Sequence, residues 1–198
     1  MALDANIASR LAVAYPRGLL EFPDTADFDI HLPPSGIQGV VEVLKAGIAA
    51  SVFLPRGGVH DIAYHIFLGP SGLPDWGTFN HILTGDQRRQ LLDTQPQLAY
   101  WILLVSRVAP VWTGHWNGYL VRSDGVWPDI IREPPLLPWP NVTTLTREFL
   151  AAMNLRELSS VELDQPVPFL SSTAAEPAVS TGSSAAPTLY MALFEPFV

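Results

Sequence analysis

Hydrophobic positions recur along the chain with periods that change from block to block. Leu3, Ile7 and Leu11 fall four residues apart, and Asp4 sits where a carboxylate suits a helix N-terminus. This predicts a short amphipathic helix ending before Pro16. Residues 16–35 carry four prolines and four acids, a composition for an irregular acidic crossing. Beyond it, Ser35 is a candidate N-cap for a helix whose Ile37, Val40, Val41, Leu44 and Ile48 mark one apolar face. A short extended piece over Ser51–Leu54 and a turn over Pro55–Gly58 lead into a helix expected over Val59–Leu68. Thr84 and Gln87 stand three residues apart, a capping-box spacing that places a helix near Asp86. A further buried helix is expected over Gln97–Val108.

From Pro110 the pattern changes to aromatic and small residues in alternation, "PVWTGHWNGYLVRSDGVWPDII". Asn117-Gly118 and Asp124-Gly125 favour tight turns there, so two or three short hairpin strands are expected. Leu145, Phe149 and Met153, four residues apart, predict another helix, and residues 159–170 read as extended. The fold class these blocks imply is α+β: a helical N-terminal two-thirds, a small antiparallel hairpin region and an extended C-terminal arm. Residues 1–170 form the expected globular domain, 171–188 a small, polar, low-complexity tether, and 189–198 an apolar docking segment. Tyr190, Leu193, Phe194 and Phe197 in that segment need cover from water, and because the tether has a flexible reach of roughly 20–25 Å the arm is expected to dock on a neighbouring chain.

The 198-residue length suits one sizeable core. With 19 acidic against 11 basic side chains and a net charge of −8, the surface repels a phosphate backbone, so nucleic acid is not an expected partner. The absence of cysteine excludes disulfides, thiolate metal sites and a cysteine nucleophile. The apolar run Leu98–Trp112 contains Arg107 and Pro110 and falls short of a membrane span, which needs about 20 residues. Asp4 and Arg10 interrupt the N-terminal apolar positions, so no secretory signal is read there and cytoplasmic synthesis is expected.

Candidate chemistry concentrates in "RGGVHDIAYHIFLG", residues 56–69. On a helix, His60 and Tyr64 share a face, while Asp61 is displaced by about 100 degrees and pairs with His65. The string His-Asp-x-x-Tyr resembles the catalytic helix of phospholipase A2, including the cysteine-free version in parvovirus capsid proteins. It is also similar to a small phage-associated family of unknown function that carries the same signature. The resemblance covers about residues 56–93. It implies that His60 activates water, that Asp61 binds calcium, and that Asp86 orients the imidazole, with Tyr64 completing the set. An imidazole held by a carboxylate can take a proton from water, and a hard cation can polarise an ester carbonyl. The structural alternative is that Asp61 only complements a helix dipole, and that His60 and Tyr64 are half-buried residues with polar tips.

Five tryptophans, Trp101, Trp112, Trp116, Trp127 and Trp139, fall within a short span rich in proline. They fit either a core where sheet meets helix or an interface, with Trp112, Trp116 and Trp127 the interface candidates. The functional expectation is a non-enzymatic structural or interaction subunit of a larger assembly, such as a phage or virus particle. Its partners would be copies of itself or other subunits, and it would need no cofactor. The alternative is a calcium-dependent lipid or ester hydrolase. A further alternative, an immunity or inhibitor protein, fits the acidic charge.

Overall fold

The computed structural model describes residues 3–16, 18–19, 34–47, 50–53, 62–70, 93, 97–122, 125–129, 142–171 and 186–194, and the fold is built from these. The first helix, α1 (Ala5–Ala14), is capped by Asp4, whose carboxylate accepts from the N–H groups of Asn6 (2.9 Å) and Ile7 (3.2 Å). It buries Ile7, Leu11 and Ala14. The second, α2 (Pro34–Gly47), opens at a proline, whose missing N–H is no loss in a first turn. Ser35 therefore lies inside the helix and does not cap it. Ile37, Val40, Val41 and Leu44 form the buried stripe that their spacing predicts.

The centre of the molecule is a six-stranded sheet. Strands β1 (Ala50–Phe53), β2 (Ala63–Pro70), β3 (Gln97–Ser106), β4 (Val111–Arg122) and β5 (Gly125–Asp129) run antiparallel in sequence order. Strand β6 (Arg156–Glu157) adds in parallel beside Val111 and Trp112 of β4. At the β3–β4 turn, the Ser106 hydroxyl accepts from the N–H groups of Val108 (3.1 Å) and Ala109 (3.4 Å), which closes the connection.

Around β2, β3 and the start of β4, both faces of this sheet are covered. Ile66, Leu68, Trp101, Leu103, Val105 and Trp112 share an apolar cluster with α2 and with Leu150 of α3 (Val142–Ala152). Ala63, Phe67, Ile102, Leu104 and Val111 face the opposite cluster, built by α1 and the C-terminal segments. Those segments are α4 (Ser160–Leu163), a 3-10 turn (Pro168–Leu170) and α5 (Leu189–Leu193). Helix α3 ends where Asn154 adopts a positive φ of 61°. There the Leu155 N–H donates to the Leu150 carbonyl (2.9 Å) and the Asn154 N–H to the Ala151 carbonyl (2.9 Å).

This architecture corrects the expectation of a helical N-terminal two-thirds with a small hairpin region and an extended C-terminal arm. The segments read as helices over Val59–Leu68 and Gln97–Val108 contain β2 and β3. A strand covered on both faces is apolar at nearly every position, so the two-residue alternation that marks a half-exposed strand is lost. Asn117-Gly118 does not turn either, because β4 runs through it, with Asn117 opposite Tyr100 and Gly118 opposite Asp129. Arg122, the last residue of β4, pairs with Gly125, the first of β5.

The C-terminal arm folds back onto its own chain. Leu189, Ala192, Leu193 and Phe194 are buried in the same cluster as Leu11, Leu163 and Leu170. Burial of one such large side chain contributes about 1.5–3 kcal/mol, which is the physical reason the segment does not stay extended in water. The segment 159–170, read as extended, forms two short helical turns separated by residues paired with Pro187–Leu189.

Candidate functional site

A cleft of about 500 Å³ opens where the N-terminal half of β4 meets the chain leaving β6. Thr113, Gly114 and His115 of β4 form one wall, and Glu157–Ser160 form the other. Leu163 and Tyr190 complete the lining. Backbone pairing sets the separation of the two walls: the Leu158 N–H donates to the Trp112 carbonyl at 2.9 Å. The Thr113 hydroxyl adds a bond to the Leu158 carbonyl at 3.4 Å. Strand alternation places His115 on the same side of β4 as Thr113, and its side chain is exposed.

A capping box and exposed ion pairs engage the polar side chains of the second wall. Ser159 is the N-cap of α4 and forms a capping box: its hydroxyl accepts from the Glu162 N–H (3.4 Å), and the Glu162 carboxylate accepts from the Ser159 N–H (2.9 Å). The Ser159 hydroxyl donates to the same carboxylate at 2.7 Å. These bonds, the Ser159 N–H foremost, with help from Arg156, lower the Glu162 pKa from 4.5 to about 2. Arg156 also approaches Asp4 at 3.9 Å, tying this wall to the start of α1. Glu157 takes both its oxygens to the Arg147 guanidinium. The carboxylates near the cleft are thus engaged by cations and backbone donors, and the Ser159 hydroxyl is oriented by Glu162. The cleft can offer hydrogen bonds to a small polar group, but Ser159 is held as a cap.

His60, Asp61, Asp86 and Phe197 lie outside the described residues. Tyr64 is on β2, half-buried against the α2/α3 layer, and the Arg107 guanidinium stands 5.5 Å from its ring centre. His65, the next residue of the strand, points to the opposite face. The helical face on which Tyr64 was to meet His60 is absent at Tyr64, because the chain is extended from Ala63 onward. Among the described residues, no group of three His, Asp or Glu side chains is placed to hold a metal ion. No helix among them is long and apolar enough to cross a membrane.

Of the expected interface residues, Trp112, Leu193 and Phe194 are buried in the chain's own core. Trp116 is half-buried against the cluster that holds Trp101 and Trp112. Trp127 lies on β5 opposite Leu120. Tyr190 is half-buried, lines the cleft and stacks at a tilt on Phe194, 5.9 Å between ring centres. His115, Glu157 and Ser159 carried no site expectation. One local signal was available: Ser159-Ser160-Val161-Glu162 has the capping-box spacing.

Compared with known proteins, the chain matches no family model, no curated protein and no solved structure.

Proposed function

We propose that the chain is a non-enzymatic interaction subunit of a larger assembly, with copies of itself as its first partners and a phage or virus particle as its setting. One observation carries the reading: Val161 is 70% exposed and Phe169 49% exposed, although both belong to segments that the core holds firmly. Leu163, Val167 and Leu170, close by in sequence, are buried. The capping box fixes α4, and the Leu19 N–H donates to the Leu170 carbonyl (3.3 Å), tying the 3-10 turn to the chain beyond α1. Large apolar groups presented on pinned backbone lose little conformational freedom when a partner covers them, the property of interface anchors. The hydrolase reading gains no support from the described residues.

The test is self-association, followed by light scattering behind size exclusion over a wide concentration range. Concentration-dependent oligomers are expected, and Val161→Asp with Phe169→Asp should abolish them without lowering the melting temperature. A chain that stays monomeric throughout, before and after substitution, overturns the reading.

A further inference from the structure

We propose that the C-terminal segment from Ala186 to Phe194 is a detachable ligand of its own chain, seated in a groove that the upstream residues build without it. The groove belongs to the cluster formed by Leu11 and Tyr15 of α1, Leu163 of α4, and Val167 and Leu170. All of these precede the segment by more than a dozen positions. Into this surface go Leu189, Ala192, Leu193 and Phe194, each 2% exposed or less. The first three lie on one face of a five-residue helix and Phe194 is its C-cap; such a helix is far below the length at which a helix is stable in water, so α5 owes its shape to the groove.

Polar attachments to the described residues hold both ends of the segment. The first end adds an antiparallel bridge, with Pro166 opposite Thr188. There the Val167 N–H donates to the Pro187 carbonyl (2.7 Å) and the Leu189 N–H to the Gln165 carbonyl (2.8 Å). At the other end, the Tyr15 phenol donates to the Ala192 carbonyl at 2.9 Å, and burial raises the phenol's pKa. This is strand addition joined to helix-in-groove docking, the means by which domains recognise separate peptides. The stretch that ties segment to body, 172–185, reads STAAEPAVSTGSSA, a linker composition with Val179 as its one large aliphatic residue. Docking also builds the cleft, because Tyr190 supplies part of its lining. Release of the segment would therefore remove the Tyr190 part of the cleft's lining and expose the groove together.

The test uses the full chain with a protease-cleavage sequence replacing residues 175–181, nicked after folding. A labelled synthetic peptide of residues 186–198 should exchange into the nicked protein, while far-UV circular dichroism and tryptophan emission of the body stay unchanged. The same peptide carrying Leu193→Asp should bind at least about tenfold more weakly, because a carboxylate cannot be seated in an apolar groove without loss. Tyr15→Phe in the nicked chain should speed release. Two results overturn the proposal: unfolding of the body when the segment leaves, or retention of the native segment with no exchange until global unfolding. Neither result depends on whether the chain self-associates.

Discussion

The Trp101 indole fills the space where a side chain on Gly114 would stand: a Cβ there would lie 2.4 Å from Cζ2 and 2.8 Å from Cε2 of the ring. Trp101 is buried on β3 opposite Trp116, and it meets Trp112 edge-on, 6.4 Å between ring centres. Glycine at 114 separates Trp112 from Trp116 along one face of β4 and lets the indole lie on bare backbone. Gly114→Ala should lower stability by about 1–3 kcal/mol, the range for overpacking a closed core. Denaturant unfolding measures this, and in a Trp101→Leu background the penalty should largely vanish. An equal penalty in both backgrounds would place the strain elsewhere.

Gly39 is the opposite case. It lies in α2 on the exposed side, and an added Cβ would meet nothing within 4 Å. Glycine in a helix interior costs roughly 0.5–1 kcal/mol relative to alanine, through the freedom it loses on folding. Gly39→Ala should raise the unfolding free energy by that amount, read as a higher denaturation midpoint at unchanged slope. A loss of stability would mean that this face of α2 is closely approached by other residues.

How much could be read from the sequence depended on where each residue's contacts lie. Ile7 and Leu11 declare α1, and Val40, Val41 and Leu44 declare α2, because one side of each helix meets solvent and the period survives. Helix α3 was found but turned: Leu145 is exposed, while Thr146 and Leu150 are buried. The Leu145-Phe149-Met153 row and the true inner row are neighbours on the helix surface, and a polar Thr146 hid the second. Strands β2 and β3 were misread because Ile66, Phe67 and Leu68, like Leu103, Leu104 and Val105, are buried on alternate faces of a covered sheet. The cleft depends on Thr113 meeting Leu158, 45 positions away, and no local pattern encodes that pairing.

Thr146 has a further consequence. Its hydroxyl is buried and, among the described residues, finds no hydrogen-bond partner. A buried hydroxyl without a partner costs about 1–3 kcal/mol of desolvation, which a methyl group of similar size would not incur. Thr146→Val should therefore raise stability by about 1 kcal/mol, read as a higher midpoint in urea. A decrease would show that the hydroxyl is bonded in solution, to water or to another group.

Glu162 makes the wall of the cleft sensitive to acid. Its carboxyl pKa falls from 4.5 to about 2 on folding, principally because the Ser159 N–H and hydroxyl bond the charged form. A depressed carboxylate stabilises the fold fully above its unfolded value, and the contribution is lost as pH drops from 4.5 towards about 2. Arg156 adds little to this, since its side chain is 45% exposed and such pairs are weak in water. Ser159→Ala should thus cost about 1 kcal/mol at neutral pH, the usual value of a lost N-cap. It should also raise the Glu162 titration only part of the way from about 2 towards 4.5, because the Ser159 N–H, the largest contribution, remains; the carboxyl carbon resonance reports this. The stability gap between the two proteins should shrink as both are taken into acid. A gap that stays constant with pH would mean that the hydroxyl contributes only its neutral bond to the Glu162 N–H, and that the carboxylate is held by the Ser159 N–H without it.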